Sequence, residues 1–324
     1  MSESALHVVF GAGQVGAGLA RELRARGLRV RVVRRSARPV AEGAEVVVGD
    51  ARDPAFATRA AEGAAVVYHC MNPSAYTATA WEAETPAQGE ALIAASLAAR
   101  ARLVVLDNLY GYGEVRGPRR EDTPLLATGR KGQVRVRWAA RLEHAAQEEG
   151  LRYVSGRAGD FFGPGTTDQS LLTERDVAGL CKGKRPWLIG DPSATHAFSW
   201  VPDVVSALAS MGVAEPDVEG SIFHLPVVEV APGELVERLA QSLGVTTRHR
   251  RARRPMLRAL SPIVPFFREV LETLYQWEQP FLVDDSAFLT RFARQRTPVE
   301  EAVAMLASRV TSPALADAED PHVR

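Results

Sequence analysis

Three glycines near the start of the chain have the spacing of a phosphate-binding loop. Gly11, Gly13 and Gly16 follow an apolar run, Leu6–Phe10, and precede a segment of helical periodicity. In such a loop the first glycine permits a tight turn and the second lets backbone N–H groups approach a pyrophosphate, while the third lets helix and strand pack closely. The pattern predicts a dinucleotide-binding site, with an ordinary glycine-rich turn as the alternative.

The residues after the second predicted strand bear on which dinucleotide would bind. An acidic side chain at this place would bind the ribose 2′-hydroxyl of NAD. The sequence instead has Arg34, Arg35 and Ser36, whose guanidinium groups and hydroxyl suit a 2′-phosphate. They predict NADPH, with NADH as one alternative and a solvated basic loop as another. Asp50 is predicted either to accept a hydrogen bond from the adenine amino group or to cap the helix that follows.

Short apolar segments alternate with helical ones through the first half of the chain. Such alternation predicts an α/β fold of Rossmann type, a doubly wound parallel sheet with helices on both faces. The predicted strands are Leu6–Phe10, Arg29–Val33, Glu45–Val48, Ala65–His69, Leu103–Leu106 and Arg152–Ser155. The predicted helices are Val15–Arg26, Ala87–Ala99 and Val134–Glu149.

The pattern becomes irregular after about residue 160, where proline and glycine are more frequent. We therefore expect an NAD(P)-binding domain over 1–165, its sheet completed by parts of 185–225. A smaller, partly interwoven substrate-binding region should cover 166–315, and 316–324 should form a tail. Further helices are predicted at Pro202–Val213, Gly233–Leu243, Met256–Trp277 and Pro298–Val310.

Besides the glycine loop, three later segments carry motifs. They are LVVLDNLYGYG at 103–113, GRAGDFFGPG at 156–165 and HAFSWVPDVVSAL at 196–208. In this order and spacing the four segments resemble the short-chain dehydrogenase/reductase superfamily, in its extended, epimerase/dehydratase-like branch. The resemblance covers residues 6 to about 210. It implies a Rossmann fold and a nicotinamide cofactor.

The resemblance also implies a catalytic Tyr-x-x-x-Lys motif at the opening of a helix, which this chain lacks. The corresponding region, 127–145, contains no tyrosine. Two registers stay open. Gln133 and Arg137 occupy the motif positions when the family helix is matched best, whereas Lys131 and Arg135 have the same four-residue spacing.

A carbonyl reduced by hydride still needs a placed proton donor. Tyr110 is the predicted donor, because Tyr112 matches the family's structural Tyr-Gly. Lys131 would promote ionisation of a phenol or act as the donor itself. Asn108, at the family's catalytic serine position, would stabilise a developing oxyanion. The predicted catalytic residues are thus Asn108, Tyr110 and Lys131; packing of the tyrosines and a solvated helix start are the alternatives.

The family pattern also implies where the cofactor would lie. Residues 157–165 should line the nicotinamide end, with Asp160 in place of the family's asparagine, and residues 70–72 should run beside the phosphates and ribose. Phe161 and Phe162 are alternatively core residues, and we favour Cys70 as a small buried hydrophobe. The predicted cofactor-binding set is Gly11, Gly13, Gln14, Val15, Gly16, Arg34, Arg35, Ser36, Asp50, Ala51, Cys70, Met71, Asn72, Asp107, Lys131, Gly159, Asp160, Phe161 and Phe162. No metal site is predicted.

A basic run, RHRRARR at 248–254, precedes an apolar segment at 255–277 that Pro262 and Pro265 divide. The run is interpreted as solvated surface or as a site for an anionic substrate group. The apolar segment is interpreted as a lid over a hydrophobic substrate or as core. A membrane-surface role would rest on the basic run alone.

Composition excludes several classes of protein. The 324 residues include 39 basic and 39 acidic ones, which argues against a general nucleic-acid binder. Two cysteines, Cys70 and Cys181, exclude a disulfide framework and favour a cytoplasmic location. Neither a signal peptide nor a spanning helix is predicted. The histidines lack metal-ligand spacing, and neither a Gly-x-Ser-x-Gly elbow nor a Walker loop occurs.

These observations predict an NADPH-dependent oxidoreductase, an atypical short-chain reductase of a hydrophobic or ring-bearing carbonyl or iminium compound, with a place in specialised metabolism. One alternative is a non-enzymatic NADP-binding redox sensor, which the missing motif favours. Another is an NAD-dependent sugar-nucleotide epimerase or dehydratase, as in the resembled branch. The chain is expected to be a monomer or a homodimer that binds a small molecule.

Overall fold

The computed structural model describes residues 5–166, 170 and 172–312. The predicted tail at 316–324 lies outside these residues. The strands are β1 (Leu6–Phe10), β2 (Arg29–Arg34), β3 (Glu45–Val48), β4 (Ala64–His69), β5 (Arg102–Asn108), β6 (Tyr153–Ala158), β7 (Asp160–Phe162), β8 (Trp187–Ile189), β9 (His196–Trp200), β10 (Ile222–His224), β11 (Val228–Val230) and β12 (Arg250–Ala252).

Helices follow most strands of the first half and become more frequent later. They are α1 (Gly16–Ala25), α2 (Pro54–Ala60), α3 (Ala78–Ala99), α4 (Arg130–Glu148), α5 (Glu174–Leu180), α6 (Val201–Gly212), α7 (Pro232–Ser242), α8 (Arg254–Leu260), α9 (Pro265–Thr273), α10 (Tyr275–Glu278), α11 (Ser286–Arg291) and α12 (Val299–Thr311). None of the helices in the described parts of the chain is long and apolar enough to cross a membrane.

The main sheet confirms the predicted α/β class. Among the described residues it has seven strands in the order β10-β6-β5-β4-β1-β2-β3, and every neighbouring pair is parallel. Strand β1 lies inside the sheet and is buried along its whole length. Continuous apolar burial of this kind is typical of a parallel sheet covered on both faces. The order reverses between β1 and β4, which is where the carboxyl ends of strands open a crevice for a ligand.

Two helices begin earlier than the sequence pattern indicated. Helix α3 was expected from Ala87, but Thr77 caps it, the threonine hydroxyl accepting a hydrogen bond from the amide of Ala80 at 3.2 Å. The proline inside this helix, Pro86, is the kind of residue that normally marks a boundary. Helix α4 was expected from Val134 but begins at Arg130. This early start places Lys131 inside the first helical turn.

The chain divides into two compact units made of interleaved segments. The first contains Met1–Gly159, Pro202–Pro226 and Val283–Arg294, and therefore the whole main sheet. The second contains Asp160–Val201, Val227–Leu282 and Gln295–Arg324. Its described residues form the sheets β11-β9-β7 and β12-β8, with aromatic core side chains such as those of Phe162, Phe198 and Trp200. The apolar segment predicted as two helical pieces forms α8, α9 and α10.

Candidate functional site

The glycine loop joins β1 to α1 with very little space around two of its glycines. Gly11 has φ +97°, and a Cβ there would lie 2.7 Å from the carbonyl oxygen of Cys70. A Cβ on Gly16 would lie 1.9 Å from the carbonyl oxygen of Gly11. Both positions therefore exclude any side chain, and the carboxyl ends of β1 and β4 meet tightly at this turn.

Gly13 differs from its neighbours because it faces open space. The residue is exposed, and a Cβ added there would meet no atom within 4 Å. The helix that follows is preceded by Val15, whose side chain cannot cap the first-turn N–H groups. Backbone N–H groups at a helix N-terminus, next to the open space at Gly13, suit a phosphate group. The loop thus fits a dinucleotide pyrophosphate.

Basic side chains lie at the end of β2. Arg34 is the last residue of the strand and its Nη1 donates to the carbonyl oxygen of Arg38 at 3.1 Å. Arg35 is exposed and Ser36 is half-buried. The β2 terminus therefore carries two cationic groups at the position where an acidic residue would select NAD.

The Asp50 carboxylate accepts hydrogen bonds from Arg52, two residues along the chain. Hydrogen bonds from the Arg52 side chain and backbone lower the pKa of Asp50 to about 2. The alternative prediction that Asp50 caps the next helix is wrong. Asp53 is the cap, because its carboxylate accepts hydrogen bonds from the amides of Ala55 and Phe56 at the start of α2.

The segment after β4 continues along the same edge of the sheet. The amide of Cys70 donates to the carbonyl oxygen of Phe10 at 2.9 Å, and burial raises the pKa of the Cys70 thiol to about 12. Met71 packs against the core together with Ala51, and Asn72 accepts a hydrogen bond from Arg135 at 3.3 Å. Gln14 lies half-buried in the glycine loop. These side chains form the edge of the predicted cofactor site.

The first two turns of α4 distinguish between the two registers left open by the sequence. Lys131 is fully buried and Arg135 is 5 % exposed, so both lie on the inner face of the helix. Arg137 is exposed, and the Gln133 amide donates to the carbonyl oxygen of Ala127. Of the two candidate pairs, only Lys131 and Arg135 are buried on the inner face; their correspondence to the Tyr-x-x-x-Lys motif stays a prediction. The alternative prediction of a solvated helix start at these two residues is wrong.

Asn108 and Tyr110 lie at the carboxyl end of β5. The Asn108 Oδ1 atom accepts a hydrogen bond from the Tyr110 amide at 3.1 Å, and the Asn108 amide donates to Oδ1 of Asp107 at 2.8 Å. Because the Oδ1 atom of Asn108 already accepts the hydrogen bond from the Tyr110 amide, its Nδ2 group is the donor that would be used towards a substrate carbonyl. The geometry suits stabilisation of a developing oxyanion.

A cluster of aromatic side chains lies around Tyr110 and Lys131. Two of its members, Tyr76 and Trp81, were not among the residues predicted from the sequence. The Tyr76 hydroxyl lies 3.2 Å from the Tyr110 hydroxyl, and Tyr110 stacks on Trp81 with ring centroids 5.5 Å apart. The Lys131 Nζ atom lies 4.7 Å from the centre of the Tyr76 ring. Two phenols and an ammonium group are thereby brought together from three elements of the first unit.

The missed residues had weak signals. Tyr76 lies in the loop after β4, at the edge where ligands of doubly wound sheets bind, and this rule alone could have drawn attention to it. Trp81 was hidden because α3 was predicted to begin six residues after it. Contacts between aromatic side chains from separate loops leave no spacing pattern in the sequence.

Arg135 is fixed in place by a buried ion pair. Its Nη1 lies 3.2 Å from Oδ1 of Asp107, and its guanidinium lies 4.7 Å above the Trp81 ring. Pairing of this kind offsets part of the cost of burying both charges. Burial, together with the charge of Arg135, lowers the pKa of His69 to about 3. Arg135 and Asp107 therefore support the site, whereas Lys131 lies nearer the phenols.

Tyr112 has a different environment from Tyr110. Its hydroxyl lies 2.7 Å from Nε2 of His224 and accepts a hydrogen bond from Arg157 at 2.6 Å. Burial raises the pKa of Tyr112. The side chain thereby joins β5, β6 and β10, in keeping with the structural role expected of it.

The remaining predicted residues follow β6. Gly159 ends the first unit and Asp160 begins the second, where Asp160 Oδ2 lies 2.9 Å from Nε2 of His196. Phe162 is buried and packs on Trp200, with ring centroids 5.0 Å apart. Phe162 is thus a core residue, as the alternative prediction had it, while Phe161 is half-buried. Contact of this segment with a nicotinamide ring stays a prediction.

Comparison with known proteins adds two findings. A family model described as the NAD dependent epimerase/dehydratase family matches residues 7–223. No curated protein matches the chain in sequence.

Solved structures match the fold over nearly the whole chain. A dTDP-glucose 4,6-dehydratase from Streptomyces venezuelae, with NAD bound, is 18 % identical, with a TM-score of 0.75 and coverage of 94 % of this chain and 96 % of that chain. A UDP-glucose 4-epimerase from Thermotoga maritima is 16 % identical, with a TM-score of 0.75 and coverage of 94 % and 97 %. A UDP-glucuronic acid 4-epimerase from Bacillus cereus, in complex with NAD, is 13 % identical, with a TM-score of 0.76 and coverage of 94 % and 98 %. At these identities the likeness shows the fold.

Proposed function

The chain belongs to the NAD dependent epimerase/dehydratase family, and from this premise we propose that it is a nicotinamide-dinucleotide-dependent oxidoreductase with a lysine-centred proton site. The reaction class is hydride exchange between the cofactor and a carbon that carries a hydroxyl or carbonyl group. The observation that carries the proposal is the grouping of Lys131, Tyr76, Tyr110 and Asn108 at the edge of the sheet to which the glycine loop also belongs.

Each residue has a role that its surroundings support. The bound dinucleotide would supply or accept the hydride. The Nδ2 group of Asn108 would donate a hydrogen bond to the substrate oxygen. Lys131 would hold the proton that this oxygen gains or loses, and the paired hydroxyls of Tyr76 and Tyr110 would pass it on. The loop N–H groups at Gly13 would hold the pyrophosphate.

The substrate class that we propose is a sugar nucleotide. The structures named above include a dehydratase and two epimerases of sugar nucleotides, which supports the alternative raised from the sequence better than the hydrophobic carbonyl compound first expected. Such reactions begin with removal of a hydroxyl proton, which Lys131 and the phenols of Tyr76 and Tyr110 would take, while Asn108 would hold the substrate oxygen. The second unit would provide the substrate-binding region.

A second candidate, NADPH-dependent reduction of a carbonyl compound, is favoured by one specific observation. Arg34 and Arg35 stand at the end of β2, where NAD-selective chains carry an acidic residue. A 2′-phosphate would gain charge-assisted hydrogen bonds from these guanidinium groups. We propose NADP(H) as the preferred dinucleotide for this reason, and a cytoplasmic monomer or homodimer as its form.

The test begins with the purified chain. Any dinucleotide released on denaturation is identified by chromatography, and binding of NADPH and NADH is then titrated through nicotinamide fluorescence. We expect NADPH to bind about tenfold more tightly, since one charge-assisted contact is worth that much, and we expect Arg34→Asp to remove the preference. Arg38→Asp, an exposed change outside β2, is the matched control.

The outcomes separate the candidates. Turnover of a sugar-nucleotide panel with retained dinucleotide supports the leading proposal, and turnover of carbonyl compounds with added NADPH supports the second. Binding without turnover of either panel points to the redox sensor. An equal or greater affinity for NADH overturns the 2′-phosphate assignment, and absence of binding overturns the cofactor proposal itself.

A further inference from the structure

The basic run and the apolar segment after it form one surface feature that the proposed reaction does not use. Residues 248–268 contain seven arginines and no aspartate or glutamate. The whole chain has equal numbers of acidic and basic residues, so this segment concentrates positive charge locally. It covers β12, α8 and the start of α9 in the second unit.

Part of this charge is neutralised within the unit. Arg251 pairs with Asp191 at 3.2 Å, and Arg254 pairs with Glu278. The side chains of Arg248, Arg253 and Arg258 are exposed. Exposed guanidinium groups before and within α8 give the surface a positive potential with a range of about 10 Å at moderate salt.

Three exposed apolar side chains, here called the apolar tip, follow these arginines in the chain, at the turn between α8 and α9 and the start of α9. Ile263 is 79 % exposed, Phe266 is 47 % exposed and Val264 is 36 % exposed. These three are among eight large hydrophobic side chains that are exposed in the described parts of the chain, yet they fall within four consecutive residues. Pro262 precedes the tip and Pro265 begins α9, so Ile263 and Val264 lie in the turn between the two helices, whereas Phe266 lies in the first turn of α9.

We propose that residues 248–268, the basic segment with the apolar tip of Ile263, Val264 and Phe266, dock on an anionic lipid bilayer. Ile263 is about four-fifths exposed, so it projects from the surface and does not line a small-molecule pocket. A stable protein interface needs about 800 Å² on each partner, more than a tip of three side chains offers. A bilayer accepts a small convex apolar group at the acyl boundary while its headgroups attract the adjacent arginines.

The experiment is sedimentation of the full chain with lipid vesicles. One set is phosphatidylcholine alone, and the other is two parts phosphatidylcholine to one part phosphatidylglycerol. We expect binding to the anionic vesicles to be roughly tenfold stronger or more, and to weaken as salt is raised because the attraction is screened.

Two pairs of variants separate the apolar from the basic contribution. Ile263→Ser with Phe266→Ser should abolish binding, whereas Leu126→Ser with Val213→Ser, equally exposed but distant in sequence, should leave it unchanged. Arg253→Gln with Arg258→Gln should weaken binding, whereas Arg116→Gln with Arg137→Gln should not. Circular dichroism and thermal unfolding establish that each variant is folded.

Several results would overturn the proposal. Equal binding to neutral and anionic vesicles would do so, as would equal losses in test and control variants. Binding that survives the serine changes but not the glutamine changes would show surface attraction without insertion. A concentration-dependent dimer that the serine changes dissolve, without vesicle binding, would assign the tip to a second copy of the chain.

Discussion

The glycine loop and the first turns of α4 lie in the same unit but retain the family pattern to very different degrees. The loop keeps all three glycines, and two of them have no room for a side chain. Helix α4 lacks the tyrosine and lysine that the resemblance implies, and Lys131 and Arg135, which we propose in their place, are both buried on the same face. Pyrophosphate binding uses backbone atoms, so its demands are steric, whereas proton transfer uses side chains that other residues can replace.

The same contrast explains why the α4 site gathers residues from several elements. A loop that binds phosphate through its backbone N–H groups depends mainly on its own residues for the right conformation. A lysine replacing a tyrosine changes the charge and reach of the group, and its neighbours must suit the new one. Tyr76 and Tyr110 supply phenols beside Lys131, and Asp107 balances the charge of Arg135. The variants below test whether the two regions divide binding from chemistry in this way.

Replacing Lys131 should produce the largest effect. Lys131→Met keeps a long unbranched side chain in a buried place but removes the proton carrier, so turnover should fall by about 10²–10⁴. Dinucleotide affinity should change by no more than about tenfold, because the phosphate contacts lie in the glycine loop and Lys131, which also belongs to the predicted cofactor-binding set, would add a single contact. The control is Arg137→Met on the exposed face of the same helix. Steady-state kinetics and fluorescence titration together measure both quantities, and an unchanged turnover would reduce Lys131 to a packing role.

The reactivities of the two thiols, Cys70 and Cys181, measure how well the segment after β4 protects Cys70 from solvent. Burial raises the pKa of Cys70 to about 12, so its reactive thiolate fraction is very small near neutral pH and grows about tenfold for each unit of added pH. Cys181 is exposed and serves as the internal reference. We expect iodoacetamide to alkylate Cys70 much more slowly than Cys181, as measured by peptide mass spectrometry. Similar rates at both cysteines would mean that the loop opens readily.

A methyl group added to the loop should break binding while the α4 site stays intact. In Gly16→Ala the new Cβ collides with the backbone oxygen of Gly11, and displacing the loop should weaken dinucleotide affinity about 100-fold. Gly18→Ala lies in the same helix, where the nearest atom is a Val205 methyl that can move. This control should bind normally. Equal affinity in both variants would show that loop geometry does not determine binding.

Sequence reasoning was most successful where a backbone rule applies. The positions of β1, β3 and the glycine loop follow from apolar runs and glycine spacing, and the parallel sheet follows from their alternation with helices. It failed at Pro86, which lies inside α3 although proline normally ends a helix. The candidate site was predicted only in part, since Asn108, Tyr110 and Lys131 lie in motifs whereas Tyr76 and Trp81 reach them through tertiary contacts.

The tyrosine pair gives the smallest and sharpest test of the comparison. If Tyr76 and Tyr110 pass a proton along one hydrogen bond, then Tyr76→Phe and Tyr110→Phe should each lower turnover about tenfold, and the double variant should lower it little further, because either change breaks the same link. Affinity for the dinucleotide should not change. Tyr275→Phe, in the second unit, is the control. Multiplied losses in the double variant would mean that the two phenols act independently, and loss of affinity instead of turnover would place them in dinucleotide binding rather than in proton transfer.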